Sequence, residues 1–205
     1  MNCLCLKCNS PPQTHLRAKD WVVELVEHRR AREFLEANHY AKGAGNTSVY
    51  AFGLRRSDSS ELLGAAVWLP PMRPAANFVS RELKIDSDKV LCLSRLAVHE
   101  SVPTNGASFL MGRAIRQIKK TRRWDALITW ADDRLGHTGA IYKATNWTAA
   151  GTTTPRRLWV DENGKLASTR AGRPHARRNL SAAECRERGW TQTEASFKNR
   201  FIMKL

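Results

Sequence analysis

The positions of apolar residues along the chain predict alternating strands and helices. Apolar runs bounded by turn-forming residues are typical of buried strands, and they occur at Trp21–Val26, Val49–Leu54, Leu62–Leu69, Val90–Val98, Ala126–Ala131 and Phe197–Leu205. Apolar residues at helical spacing predict a helix at His28–Ala37 and a longer one on which Ala107, Leu110, Met111, Ala114, Ile115 and Ile118 share a face. Arg81–Asp88 is expected to be a polar connector. This order predicts a single α/β domain over residues 19–205, preceded by a mobile segment at residues 1–18.

One predicted strand carries a charged residue near its middle. Ser94 and Arg95 interrupt the apolar run Val90–Val98. A charged side chain is costly to bury unless it is paired. We therefore expect Arg95 to emerge at a bulge or at a ligand cleft, and an edge-strand arginine that faces water is the alternative.

The stretch from Thr129 to Trp147 combines several chemically active residue types. Asp132 follows the end of a strand, and a turn with two glycines and a histidine leads into a short helix. Thr138 is expected to be its N-cap and Asn146 its C-terminal stop. Tyr142 lies on the first turn, so its hydroxyl can face the carboxyl end of the strand, where ligands of open α/β sheets bind. A site is predicted here, and a plain strand-to-helix corner is the alternative.

The charge of the chain favours a polyanionic partner. The 205 residues carry a formal net charge of +15, which is typical of proteins that bind nucleic acid. No apolar run reaches membrane-spanning length and the start lacks the apolar stretch of a secretory signal, so a soluble cytoplasmic protein is expected.

Two basic regions are candidates for contacting phosphates. Between Pro155 and Trp190, eight arginines and one lysine face four acids, which predicts a basic arm with a protruding hairpin at the turn Asp161–Gly164. The polar face of the long helix is either a solvated surface or a phosphate-binding rail. The residues predicted to contact nucleic acid are Arg113, Arg116, Lys120, Arg170, Arg173, Arg177 and Arg178.

The cysteines do not indicate a disulfide framework. Their number is five, which is odd, and the expected compartment is reducing. Cys3, Cys5 and Cys8, with His15 beyond them, indicate either a zinc site or a mobile N-terminus. Cys92 is expected to be part of the core.

The order of elements resembles that of the GNAT acyltransferases. Strand Val90–Val98 with its helix resembles their acyl-carrier-binding motif, and Gly139–Trp147 resembles their tyrosine-bearing helix. The resemblance implies an α/β (α+β) fold with a mixed, mostly antiparallel sheet flanked by helices, and a general-acid role for Tyr142. Asn105 and Gly106 would then bind the donor cofactor. GNAT enzymes cradle the coenzyme A pyrophosphate with a glycine-rich loop, whereas Val102–Ser108 has a single glycine, which puts coenzyme A binding in question.

Four separated motifs are similar to the phage Mom proteins, which convert adenine in viral DNA to N6-carbamoylmethyladenine and so blunt host restriction. They are His39-Tyr40, Leu93-Ser-Arg-Leu-Ala-Val98, Asn105-Gly-Ala-Ser108 and Gly136-His-Thr-Gly-Ala-Ile-Tyr-Lys-Ala-Thr-Asn146. The resemblance implies that Tyr40, Arg95, Ser108 and Tyr142 are catalytic and that His39 and Asp132 bind iron. Imidazole and carboxylate suit iron, although two ligands do not complete a site.

A DNA-modifying transferase, acting in the cytoplasm of the infected or lysogenic bacterial host, is therefore predicted. A non-catalytic nucleic-acid-binding protein and a conventional N-acetyltransferase are the alternatives. The donor stays open between acetyl-coenzyme A and glycyl-tRNA, because a glycyl group contains the two carbons and the nitrogen of the carbamoylmethyl group. An adenine in a duplex must be flipped out to react, and Tyr40, Trp68 and Trp147 are candidates to stack on it or members of the core. A homodimer is also left open.

Overall fold

The computed structural model describes residues 15–39, 44–133, 136–171 and 178–205. The strands of its main sheet are β1 (Trp21–Leu25), β2 (Tyr50–Arg56), β3 (Gly64–Leu69), β4 (Val90–Val98), β5 (Ala126–Asp132), β6 (Thr148–Thr152) and β11 (Lys198–Lys204). They form a seven-stranded sheet in the order β1-β2-β3-β4-β5-β11-β6. Pairing is antiparallel from β1 to β4 and parallel between β4 and β5.

The helices are α1 (His28–Asn38), α2 (Arg73–Leu83), α3 (Gly106–Lys120), α4 (Ala140–Lys143) and α5 (Ala182–Glu187). The mostly antiparallel sheet with flanking helices confirms the predicted fold class. None of the helices in the described part of the chain is long and apolar enough to cross a membrane.

The two faces of the sheet are covered by different helices. Leu35 of α1 packs with Val67 of β3, and α2 packs against Cys92 of β4. Successive strand residues point to opposite faces, so Gly64 of β3 faces the other way. A Cβ built on Gly64 would lie 3.3 Å from Leu110 of α3, which places α3 on that second face. Burial raises the pKa of the Cys92 thiol to about 12, and its prediction as a core residue is confirmed.

Two local expectations were wrong, and one strand was missed. Arg81–Asp88 is not entirely a connector, because α2 occupies Arg73–Leu83 and buries Val79. Its Pro74 stands in the first turn, where a missing N–H costs nothing, so this proline begins a helix as well as ending the hairpin. The N-cap of α4 is Gly139, with φ of +75°, and not Thr138. The strand β6 was not expected.

The chain divides into two compact units. The first contains the described residues up to Trp130, together with 139–150 and 200–205, and the second contains 131–138 and 151–199. The second unit includes α5 and two small sheets, formed by β7 (Trp159–Val160) with β10 (Thr191–Gln192) and by β8 (Arg170–Ala171) with β9 (Arg178–Asn179).

The basic arm expected at about 155–190 falls within the second unit. Its predicted turn forms, since Gly164 has φ of +73° and donates to the Asp161 carbonyl at 2.9 Å. Val160 forms a bridge with Leu166 across this turn. Cys3, Cys5 and Cys8 lie outside the described residues.

Candidate functional site

A β-bulge lies beside Arg95. Val67 of β3 pairs with Arg95 of β4, whereas the next residue, Trp68, pairs with Leu93, so Ser94 is the extra residue. The expectation that Arg95 emerges at a bulge is confirmed. Cross-strand partners share a face, so Arg95 leaves the sheet on the face of Val67, which α1 and α2 cover. Its Nη1 donates to the Ser94 carbonyl at 2.7 Å.

Just before the bulge, the pairing between β4 and β5 ends. The parallel ladder joins Val90–Cys92 to Ala126–Ile128, although both strands continue further. Where the ladder stops, the buried Thr129 hydroxyl donates to the Leu93 carbonyl at 3.1 Å. Strands that part in this way leave an opening in the sheet, and backbone groups at its edges become available to a ligand.

The hydroxyl of Tyr142 lies at this opening. Tyr142 belongs to the single-turn helix α4, and its amide donates to the Gly139 carbonyl at 3.0 Å. Its hydroxyl is 3.5 Å from Thr129 Oγ1 and 3.5 Å from the Trp130 carbonyl oxygen. Thr129 Oγ1 is the donor in the first contact, and the tyrosine hydroxyl donates to the Trp130 carbonyl in the second. Both contacts are at the long limit of a hydrogen bond, so the contact with Trp130 binds the tyrosine proton only weakly.

Two aromatic rings pack against the ring of Tyr142. Its ring lies 5.0 Å from the Phe201 ring and 5.8 Å from the Trp147 ring, measured between centroids. Trp147 stacks on Trp68 at 6.4 Å with an interplanar angle of 19°. Trp68 faces away from Val67, so Tyr142 and Arg95 flank the opening from opposite faces of the sheet.

Trp68 and Trp147 are core residues. Their exposed fractions are 0% and 4%, so of the two readings left open the core reading holds, and neither ring is available to stack on an extruded base. Both indole Nε1–H groups are buried without an acceptor among the described residues. An unsatisfied buried donor costs about 1–3 kcal/mol, so the stacked pair carries this cost within the core. Tyr40 lies outside the described residues.

The N-terminus of α3 is crowded where GNAT enzymes hold a pyrophosphate. The Gly106 amide donates to the carbonyl three residues earlier at 2.8 Å, and Ser108 Oγ donates to the Asn105 carbonyl at 2.9 Å. Asn105 Oδ1 accepts from the Leu16 amide at 2.7 Å. A Cβ on Gly106 would lie 2.1 Å from Val102 Cγ1 and 3.9 Å from Leu16 Cδ1. The Gly106 amide and the Ser108 hydroxyl are therefore already bonded within the chain, and the choice between acetyl-coenzyme A and glycyl-tRNA stays a prediction.

The two predicted iron ligands belong to different units. His39 is buried at the end of α1, and its amide donates to the Leu35 carbonyl at 2.9 Å. Asp132 ends β5 and is buried, with its carboxylate 3.5 Å from Lys198 Nζ. Across the described ranges, no three His, Cys, Asp or Glu side chains gather as a metal site would require. Iron binding by His39 and Asp132 therefore stays a prediction.

The predicted nucleic-acid-binding residues fall into two groups. Arg113, Arg116 and Lys120 are exposed on α3. The exposed Arg178 forms a bidentate ion pair with Glu184, and this hydrogen bonding lowers the pKa of Glu184 to about 2. Arg170 is described only as a member of β8, and Arg173 and Arg177 lie outside the described residues.

Two residues that position Tyr142 were missed by sequence reasoning. Thr129 was noted only as the start of a stretch, although a polar residue within a buried strand is itself a signal. Phe201 carried no local signal, because its contact with Gly139 joins distant parts of the chain.

The bulged β4, the parting of β4 from β5 and the tyrosine on the next helix define the GNAT acyltransferase fold. An agmatine N-acetyltransferase structure is 11% identical, with a TM-score of 0.55 over 91% of this chain and 100% of that one. The ribosomal-protein-S18-alanine N-acetyltransferase from Escherichia coli is 12% identical, with a TM-score of 0.51 over 90% of this chain and 93% of that one. At these identities the likeness shows the fold alone.

Within that fold, the chain belongs to the Mom protein family, whose model matches residues 20–205. A relative, "Methylcarbamoylase mom" of Escherichia phage Mu, is 24% identical over 139 residues. The match covers 65% of this chain and 55% of the relative, so the chain spans about half the length of that protein.

Proposed function

We propose that this protein is a transferase that converts adenine in DNA to N6-carbamoylmethyladenine and thereby protects phage DNA from host restriction. The observation that carries the proposal is the Tyr142 hydroxyl at the opening between β4 and β5, in a chain of the Mom family. The named activity of the phage Mu relative supports it. The net charge of +15 favours a polyanionic substrate, and the host cytoplasm is where that substrate is found.

The residues at the opening have separate roles in the proposed reaction. Tyr142 protonates the leaving group of the acyl donor, because its hydroxyl is weakly held by Thr129 and the backbone. Arg95 approaches from the other face and neutralises negative charge that develops on the acyl oxygen. Ser108 stands on the first turn of α3, where its hydroxyl is held by the Asn105 carbonyl, and we assign it to positioning the donor.

The donor that fits these residues is a glycyl ester of tRNA. A glycyl group contains both carbons and the nitrogen of the product, whereas an acetyl group lacks the nitrogen. Amide formation at N6 breaks the ester, N6 loses a proton and Tyr142 protonates the released carrier hydroxyl. The free amine then adds to C6 through a five-membered ring, and cleavage of the original C6–N6 bond leaves –NH–CH2–CO–NH2 on C6. Acetyl-coenzyme A, the usual GNAT donor, is disfavoured by the crowding of Asn105 and Gly106.

Mass spectrometry of nucleosides from plasmid DNA of expressing cells tests the activity. We expect a carbamoylmethyl derivative of deoxyadenosine with the unaltered protein, and its loss with Tyr142→Phe. Tyr50→Phe is the matched control, since it also removes one phenolic hydroxyl, which Trp124 Nε1 contacts at 3.3 Å. Unmodified deoxyadenosine from soluble, unaltered protein would refute the proposal in favour of a non-catalytic nucleic-acid-binding protein.

Glycine labelled with heavy carbon and nitrogen tests the donor. Glycine also enters the purine ring, so the label is counted relative to unmodified deoxyadenosine from the same sample. The glycyl route predicts one extra heavy nitrogen and two extra heavy carbons, with the heavy nitrogen attached to C6 and the carboxamide nitrogen unlabelled. Modified adenine without the glycine nitrogen would contradict this route, and an acetyl-derived label would support acetyl-coenzyme A.

A further inference from the structure

A large groove lies beside α3, at the end of the sheet where β5 begins. Its volume is about 1120 Å³, and its lining contains five cations and one acid, which are Arg113, Arg116, Lys119, Lys120, Arg122 and Asp125, among apolar and aromatic side chains. Asp125 directly precedes β5, whereas Tyr142 contacts Thr129 and Trp130 further along that strand. At roughly 3.3 Å per strand residue, about 16 Å of strand separates Asp125 from Trp130. The groove is therefore a separate feature from the opening at Tyr142.

The cations of this groove have no carboxylate partner in the part of the chain that the structure describes. Five of the lining residues are Arg or Lys and one is an acid, Asp125, which forms an ion pair with Lys89 at 3.7 Å. Within the described ranges, the five lining cations form no ion pair with a carboxylate. By contrast, the exposed Arg29 and Arg73 on other helices each form an ion pair with a carboxylate. An uncompensated cluster of one sign attracts a partner of the opposite sign.

Aromatic rings in and beside the groove hold two of the guanidinium groups. Arg113 lies 5.2 Å over the Phe109 ring, and Arg123, at the edge of the groove, lies 4.8 Å over the Trp124 ring. A cation held on a ring loses less freedom when it binds an anion, because its position is already restricted. Trp21 and Trp124 are 7% and 6% exposed, so they support the groove and are not available as stacking surfaces for bases. This combination fits a phosphate backbone.

The spacing of the cations fits one strand of a nucleic acid. Arg113, Arg116 and Lys120 fall at i, i+3 and i+7 on α3, so they share a face and span about 10 Å at roughly 1.5 Å per residue. A DNA strand advances about 3.4 Å per phosphate along its axis, so this face spans about three phosphates.

We propose that the groove binds the DNA backbone at a second position, remote from the adenine at the Tyr142 opening. This inference rests on the proposed function for the identity of the polyanion. The groove supplies affinity through phosphates and carries no base recognition, since its two tryptophans are buried and Arg113 lies over the Phe109 ring.

Salt-dependent DNA binding tests the groove. The groove variant combines Arg116→Ala, Lys119→Ala and Lys120→Ala, and the control removes the same charge from other exposed helical positions with Arg29→Ala, Arg73→Ala and Arg81→Ala. Fluorescence anisotropy with a labelled duplex, in a Tyr142→Phe background that prevents modification, gives the slope of log affinity against log salt. Each lost phosphate contact reduces the magnitude of this slope by about 0.9. The slope of the groove variant should therefore be smaller by up to about 2.7, and the slope of the control should be almost unchanged.

A second measurement needs no substitution in the groove. DNA should protect Lys119 and Lys120 from acetylation by an N-hydroxysuccinimide ester, whereas the exposed Lys84 stays reactive. Equal slope changes in both variants, or unprotected groove lysines, would overturn the inference. Protection by tRNA but not by duplex DNA would also overturn it and assign the groove to RNA. If the groove variant shows a smaller salt slope but the unaltered protein makes no modified adenine, the groove is still a DNA-binding surface and only the proposed reaction is refuted.

Discussion

Gly139 determines the position of Tyr142, and adding one methyl group to it should disturb the site. Gly139 has φ of +75°, and a Cβ there would lie 2.2 Å from Phe201 Cζ and 2.5 Å from Cε2. The left-handed backbone costs a non-glycine residue about 1–2 kcal/mol. Phe201 is 2% exposed and contacts the Tyr142 ring, so it cannot move without shifting Tyr142, and overpacking of this kind costs about 1–3 kcal/mol. Gly139→Ala should therefore lower the free energy of unfolding by about 2–5 kcal/mol.

A double-mutant cycle separates the two costs. Phe201→Leu removes the ring atoms that the new methyl group would contact, so Gly139→Ala in that background should retain only the backbone cost of about 1–2 kcal/mol. The coupling between the two positions, measured by urea denaturation, should be about 1–3 kcal/mol. Gly139→Ala should also reduce adenine modification, because α4 begins at this residue and its carbonyl binds the Tyr142 amide. A coupling within experimental error of zero would refute the packing argument, because the methyl group would then be accommodated without touching Phe201.

Two further predictions concern single polar contacts. Thr129→Val keeps the shape of the side chain but removes the buried hydroxyl, so the free energy of unfolding measured by urea denaturation should fall by about 1 kcal/mol. Adenine modification should also become slower, because Tyr142 loses a contact. An unchanged rate would show that Thr129 is not part of the site. Hydrogen bonds from Arg178 lower the pKa of Glu184 to about 2 from an ordinary value of 4.5. A depressed folded-state pKa contributes stability that is present above the ordinary value and is lost as the pH falls through the folded value. The melting temperature of the second unit should therefore fall as the pH is lowered from about 4.5 to about 2. Glu184→Gln should remove this pH dependence. The same dependence in the variant would assign it to other carboxyl groups.

The parts of the site that were predictable from sequence are those with a local signal. A charged residue within an apolar strand indicated a break in regular pairing, and Arg95 does lie beside the bulge at Ser94. A tyrosine on the first turn after a buried strand indicated a hydroxyl at the strand end, and Tyr142 contacts the Trp130 carbonyl. Both inferences use only neighbours in the chain, where backbone geometry fixes directions.

The parts that were not predictable depend on contacts between distant residues. Aromatic identity does not tell whether a ring is exposed, and Trp68 and Trp147 turned out to be stacked in the core. The hydrogen bond from the Leu16 amide to Asn105 Oδ1 joins residues far apart in sequence, and no local pattern reports it. A proline can follow the end of a strand or occupy the first turn of a helix. Pro74 occupies the first turn of α2, which forms because its face with Ala76 and Val79 is buried against the sheet.

The two ends of α3 differ in the anions they can bind. The helix dipole favours anions at the N-terminus, but there Leu16 and Val102 pack on Gly106. Cations in the last turn stabilise any helix by about 0.3–1 kcal/mol each, and this ordinary effect is sufficient to explain Lys119 and Lys120. It does not explain Arg113 and Arg116, which stand in earlier turns, where the dipole effect has fallen off. Their charge exceeds what the helix itself requires, and the proposed phosphate backbone in the groove would account for all four cations with one partner.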